Sequence, residues 1–82
     1  MGTRPRNTES IIEAQNRIEK CLAEAEVDSP TAEAKLLLEA VLKLDRTSLL
    51  LCSQRDLSQG EQAKLTNWLE RRIKREPLQH IL

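Results

Sequence analysis

The sequence predicts a small all-α domain, an orthogonal or antiparallel array of four to five short helices. Leu and Ala, which favour helices, dominate the apolar residues, and a single tryptophan is the only aromatic residue among 82. Only two Gly and three Pro interrupt the chain, and the apolar residues recur at helical spacing. A chain of this length can form one small domain with a single core.

The first predicted helix begins near Ser10, because Ser10 and Glu13 form the S-x-x-E pattern of a capping box. Thr8 is a competing N-cap, and the "VDSP" stretch ends the helix near residues 25–27. We expect residues 1–8 to form a disordered tail and residues 9–82 a single helical domain. The apolar face of this helix carries Ile11, Ala14, Ile18, Cys21, Leu22 and Ala25.

The second predicted helix covers residues 30–44, with Ser29 as its N-cap and Pro30 at its first position. Leu37, Val41 and Leu44 share its inward face, and further leucines beside them predict that it is the most buried helix. A short third helix is expected over residues 47–52. That stretch is too short for periodicity to exclude a strand locally, although no second strand is available to pair with it.

The fourth predicted helix covers residues 59–74 and begins with a second capping box, Ser58 and Glu61. Its inward residues are Leu65, Leu69 and Ile73, with a tryptophan on the flank. Pro77 moves the preceding residue out of helical geometry and opens a fifth, short apolar segment. The final residues, "REPLQHIL", stop within an apolar run, so we expect the chain to be a piece of a longer protein.

Composition excludes several classes of function. The 13 basic and 13 acidic side chains balance, so no strong field favours nucleic acid or a membrane surface. No apolar run approaches the length of a membrane span, and the first residues, which lack a hydrophobic stretch, are not expected to form a secretory signal. Cys21 and Cys52 could formally form a disulfide, but two reduced thiols in a cytoplasmic protein are expected. We expect a monomer.

Catalytic chemistry is not predicted within this segment. His80 is the only histidine, and its position predicts a partly exposed helix residue; a zinc site would require His80, both cysteines and a carboxylate to converge. Gly2 and Gly60 stand alone, so there is no phosphate-binding loop. No catalytic, cofactor-binding or metal-binding residue is therefore assigned.

The most basic stretch, "ERRIKRE", lies at the end of the fourth predicted helix. Together with the preceding turns it offers a possible partner surface of Lys64, Trp68, Arg71 and Arg75. The alternative is a solvated helix end whose cations complement the negative end of the helix dipole. Interleaved acidic residues argue against direct nucleic-acid binding.

Two charges fall on inward faces. Glu33 projects among the apolar residues of the second helix and Arg72 among those of the fourth. Because a bare charge in a core is costly, we predict a partly buried Glu33–Arg72 ion pair that links these helices. In the alternative, Arg72 lays its stem over Leu69 and pairs locally with Glu76.

Two stretches, "SPTAEAKLLLEAVLKLDRTSLLL" and "LERRIKREPLQHIL", together resemble the N-terminal helical domain of the HemK-type (PrmC) release-factor glutamine methyltransferases. The resemblance covers about residues 10–82. Three positions depart from the family pattern, which commonly has Gly at Arg75, Tyr near His80 and Asp at Glu33. The matching motifs fall on Ser29 and Pro30, Glu33 and Ala34, Leu36 to Leu38, Arg46 and Thr47, Leu49 to Leu51, Arg71 and Arg72, and Glu76 and Pro77.

The resemblance implies a function for the segment as part of a larger enzyme. In the family, a following Rossmann-like domain holds S-adenosylmethionine and methylates the glutamine of the Gly-Gly-Gln loop of class I peptide chain release factors. The N-terminal helical domain helps to dock the release factor. The resemblance thus implies no cofactor and no catalytic centre in this chain; the alternative is a stand-alone helical protein-binding adaptor.

Overall fold

The computed structural model describes residues 9–82, which form five helices joined by short loops. The helices are α1 (Ile11–Glu24), α2 (Pro30–Leu42), α3 (Arg46–Leu51), α4 (Gln59–Ile73) and α5 (Leu78–Ile81). Within these residues there is no strand, so the all-α prediction is confirmed and the local strand alternative for α3 is wrong. The predicted tail and the Thr8 cap lie outside the described residues.

The second helix is the centre of the packing. α1, α3 and α4 all pack against α2, α4 also contacts α1, and α5 packs against α4. The apolar faces meet in one core whose largest fully buried side chains are Ile11, Ile18, Leu22, Leu37, Leu38, Leu57 and Leu65.

The N-terminus of α1 is closed from two directions. The capping box forms as predicted, with the Ser10 amide donating to Glu13 Oε1 at 2.9 Å and the Glu13 amide donating to Ser10 Oγ at 3.3 Å. The amides of Ile11 and Ile12, which lie between them, donate to the carbonyl oxygens of Arg55 and Ser53, each at 2.9 Å. The first-turn amides therefore all have partners, and the loop after α3 is attached to the start of α1.

The turns that follow three of the helices each contain a residue with left-handed backbone conformation, and none of the three is a glycine. Glu26, Lys43 and Arg75 have φ values of 64°, 56° and 73°. After α1 and α4, the second amide beyond the C-cap bonds back across the turn, at 3.0 Å and 3.1 Å, in the pattern of a Schellman motif. These turns therefore have the backbone conformation usually found at glycine, and the residues that form them carry the steric strain of a side chain in that conformation.

The boundaries of α2 and α3 differ from the prediction. α2 ends at Leu42, two residues early, because Lys43 takes the left-handed conformation and stops the helix. Ser29 is the N-cap residue and Pro30 the first helical residue, as predicted, but the Ser29 side chain makes no cap hydrogen bond. α3 begins at Arg46, one residue early, because Asp45 accepts a hydrogen bond from the Ser48 amide at 2.7 Å.

One residue predicted to face inward is more exposed than expected. Ile73 retains 38% of its accessible surface, whereas Leu65 and Leu69 of the same helix are buried. Ile73 is the last residue of α4, so no following helical turn lies beside it. The second capping box, Ser58 with Glu61, forms as predicted.

Candidate functional site

The structure brings Glu33 and Arg72 together in a bidentate ion pair between α2 and α4. Arg72 Nε donates to Glu33 Oε1 at 2.6 Å, and Arg72 Nη2 donates to Glu33 Oε2 at 3.2 Å. The Arg72 and Glu33 side chains are 19% and 16% exposed. The hydrogen bond to Glu33 raises the pKa of Arg72 above its ordinary value. The pair is therefore a linkage between helices, mostly withdrawn from water.

The local alternative for Arg72 is not adopted, because a neighbouring arginine takes its place. Arg71, not Arg72, pairs with Glu76. Arg71 also donates to the carbonyl oxygen of His80 at 3.3 Å. Arg71 therefore attaches α5 and the turn before it to the end of α4.

The four residues of the possible partner surface do not form one free cationic patch. Lys64 Nζ lies 4.9 Å from the centroid of the Trp68 ring, in cation–π geometry. Arg71 is engaged with α5, as described above. Arg75 lies beyond the end of α4 in the left-handed turn. The structure places Lys64 and Trp68 together and gives Arg71 a structural contact.

The groups considered for metal chemistry are dispersed. Across residues 9–82, no three His, Cys, Asp or Glu side chains lie close enough to hold a metal ion. His80 is an exposed residue of α5, and Cys21 and Cys52 are half-buried free thiols. No helix in the described part of the chain has both the length and the apolar character needed to cross a bilayer.

An apolar groove between α1, α2 and α3 is a feature that sequence reasoning missed. Its volume is about 140 Å³. Leu50, which lines it, is 70% exposed, and the following residue, Leu51, is 81% exposed. The available signal was the run of three leucines in a helix of six residues, which can bury one side only. The lining residues are Ile12, Gln15, Lys35, Arg46, Leu49, Leu50 and Ser53.

Two helix-start carboxylates on the described surface have perturbed pKa values. The hydrogen bond from the Ser48 amide, followed by that from the Ser48 hydroxyl, lowers the pKa of Asp45. Partial burial opposes ionisation of Glu61, but hydrogen bonds from the Ser58 amide and Arg55 outweigh it, so the pKa of Glu61 is also lowered. Both carboxylates are therefore stabilised as anions at helix N-termini.

Comparison with known proteins places these features in a family. The family described as the PrmC N-terminal domain matches residues 13–82. A release factor glutamine methyltransferase of Caulobacter vibrioides is 35% identical over 75 residues, which are 92% of this chain and 26% of that protein. Proteins with the same name from Deinococcus radiodurans and Coxiella burnetii are 43% identical over 60 residues and 37% identical over 73 residues.

Those two alignments cover 73% and 89% of this chain, and 22% and 26% of the respective relatives. The chain thus spans about a quarter of the length of the curated relatives it matches. No solved structure matches it significantly. Since the family profile covers nearly all of the described helices, the chain belongs to the PrmC N-terminal domain family, the N-terminal region of release factor glutamine methyltransferases.

Proposed function

We propose that this chain is the substrate-docking domain of a protein-glutamine methyltransferase that modifies the Gly-Gly-Gln loop of class I release factors. The observation that carries the proposal is the family match over residues 13–82, together with relatives named for that activity. The chain corresponds to about a quarter of those relatives, so the methyl transfer and the S-adenosylmethionine site are assigned to the remainder. Peptide chain termination would place the protein in the cytoplasm.

The geometry supports a docking role through rigidity. Capping boxes close the starts of α1 and α4, and the Glu33–Arg72 pair links α2 to α4. A surface held this firmly loses little conformational entropy on binding a partner, so more of the contact energy remains for affinity. A domain with these properties can hold a release factor while a separate domain acts on its glutamine.

A domain exchange tests the proposal. The aligned N-terminal segment of the Caulobacter relative is replaced by this chain, and a second form lacks the segment altogether. kcat/KM is measured with the intact release factor and with a short peptide containing Gly-Gly-Gln. We expect the deletion to lower kcat/KM for the intact factor by at least about tenfold, with little change for the peptide, and the chimera to recover most of the loss.

The peptide serves as the control for the catalytic domain, because it cannot use a docking surface remote from its glutamine. An equal loss on both substrates would mean that the segment stabilises the catalytic domain and does not dock the factor. That result would contradict the proposed function.

A further inference from the structure

We propose that the groove between α1, α2 and α3 is the place where this domain receives the release factor. The occupant is a segment of that factor which presents a leucine-sized apolar side chain flanked by carboxylates. The inference rests on the proposed function and adds to it a location and a recognition chemistry. It also moves the contact away from the Lys64–Trp68 region of α4.

The apolar part of the argument comes from α3. Of its three leucines only Leu49 is buried, and Leu50 and Leu51 are 70% and 81% exposed. Leu50 and Leu49 line the groove with Ile12. Its volume of about 140 Å³ approaches that of protein cavities of about 150 Å³ that bind a benzene ring. An apolar side chain can therefore insert while the neighbouring leucines cover it.

The charge around the groove specifies the partner further. Among the described residues that line it, Lys35 and Arg46 are cationic and none is a carboxylate. Arg46 reaches Glu39 only at 3.4 Å and its side chain remains 62% exposed, while Lys35 has no ion-pair partner within residues 9–82. Lys35, without an ion pair in the described part of the chain, and Arg46, with only an exposed pair to Glu39, stand beside an apolar recess. This arrangement favours an acidic segment and disfavours a basic one.

The contacts on the α4 side argue for the groove over the alternative surface. Lys64 is already stacked on Trp68, and Arg71 is bound to Glu76 and to the His80 carbonyl. α5 packs against α4, whereas α3 packs against α2. The last described helix therefore leaves the groove uncovered.

Binding of the purified Caulobacter class I release factor to the 82-residue chain tests the inference by calorimetry. Leu50→Ser and Lys35→Glu are the groove variants, and Leu82→Ser and Lys64→Glu are matched controls with the same substitutions elsewhere. All four positions are exposed or half-buried, so far-UV circular dichroism should be unchanged. We expect each groove variant to weaken binding about tenfold or more and each control less than about twofold.

Each other result has a defined meaning. Wild-type binding that survives both groove variants would overturn the groove assignment and leave the docking function intact. Loss of binding in Lys64→Glu alone would return the contact to α4. A wild-type chain that does not bind the release factor would overturn this inference, and the domain exchange would then decide whether the proposed function fails with it.

Two other occupants are covered by added measurements. Sedimentation that shows a dimer dissociated by Leu50→Ser would assign the groove to a second copy of the chain. Hydrogen exchange on the Caulobacter chimera, before the release factor is added, reports whether the catalytic domain covers α3. Greater protection of the α3 amides in that state than in the 82-residue chain alone would also overturn the proposal.

Discussion

The Glu33–Arg72 pair should contribute measurable coupling between α2 and α4. Glu33→Gln and Arg72→Met each remove one charge and leave the other in a site where the side chains are 16% and 19% exposed. Breaking one half of a fully buried pair costs about 3–5 kcal/mol, and an exposed pair contributes about 0.2–1 kcal/mol. With less than one fifth of each side chain in water, we expect about 2–3 kcal/mol per single substitution.

The double substitution should cost less than the sum of the two single ones, because it leaves no unpaired charge. The two hydrogen bonds of 2.6 Å and 3.2 Å lie on the two oxygens of one carboxylate. A bidentate charged contact of this kind gives an expected coupling energy of about 1–2 kcal/mol. Urea unfolding of the 82-residue chain, followed by circular dichroism, measures all four corners of the cycle.

A matched control cycle uses Arg46 and Glu39, which are the same residue types on the surface. Their closest atoms are 3.4 Å apart and the arginine side chain is 62% exposed. Glu39→Gln and Arg46→Met should therefore show coupling below about 0.5 kcal/mol. An equally small coupling for Glu33 and Arg72 would refute the reasoning, since it would mean that the two charges do not meet in a buried site.

Three further outcomes are expected. The isolated chain should not bind S-adenosylmethionine in calorimetry, because the proposed function assigns the cofactor site to the part of its longer relatives that this chain does not cover; micromolar binding would contradict this. Glu26→Gly and Arg75→Gly should each raise the free energy of unfolding by about 0.5–1 kcal/mol, the strain of a left-handed side chain less the extra backbone entropy of glycine. Alanine at the same positions keeps the strain and should give no gain. Finally, the lowered pKa values of Asp45 and Glu61 contribute stability that is complete above their ordinary values of 3.8 and 4.5 and is lost as the pH falls through the lower folded-state values. The unfolding midpoint should therefore decrease as the pH is lowered through that acidic range, and Glu61→Gln should make this decrease smaller. An unchanged dependence of the midpoint on pH in that variant would count against the assignment.

Local signals in the sequence were sufficient for the starts of most helices. Ser10 with Glu13 and Ser58 with Glu61 specify their own hydrogen bonds within four residues, and Pro30 restricts its own backbone. The helix ends were harder to predict, because Glu26, Lys43 and Arg75 give no glycine signal for the left-handed turns that they form. A helix end of this kind is stabilised by bonds across the turn and by packing, which the residue type does not reveal.

Among the contacts between distant parts of the chain, one could be predicted from the sequence and others could not. The Glu33–Arg72 contact could be predicted because each charged residue falls on the apolar face of its own helix. Two opposite charges on inward faces can satisfy one another by pairing. The groove at α3 and the burial of Leu57 in a loop depend on how separate segments meet. No local pattern marks them, so they were visible only in the assembled fold.

Arg75 holds a backbone conformation that glycine adopts most easily. This chain has an arginine there, at a φ of 73°. The turn therefore keeps its shape without the residue that adopts it most easily. The Arg71–Glu76 pair lies across this same turn and gives it support from side chains.

The attachment of the loop after α3 to the start of α1 also fixes where this domain can be cut. The family profile begins at residue 13, but the folded unit begins earlier. The backbone carbonyl oxygen of Glu9 accepts a hydrogen bond from the Leu57 amide at 2.9 Å, and the Glu9 carboxylate pairs with Arg17 at 2.6 Å. Ser10 caps α1. A graft or truncation begun at residue 13 would remove all of these contacts together, so a transplantable domain must include Glu9.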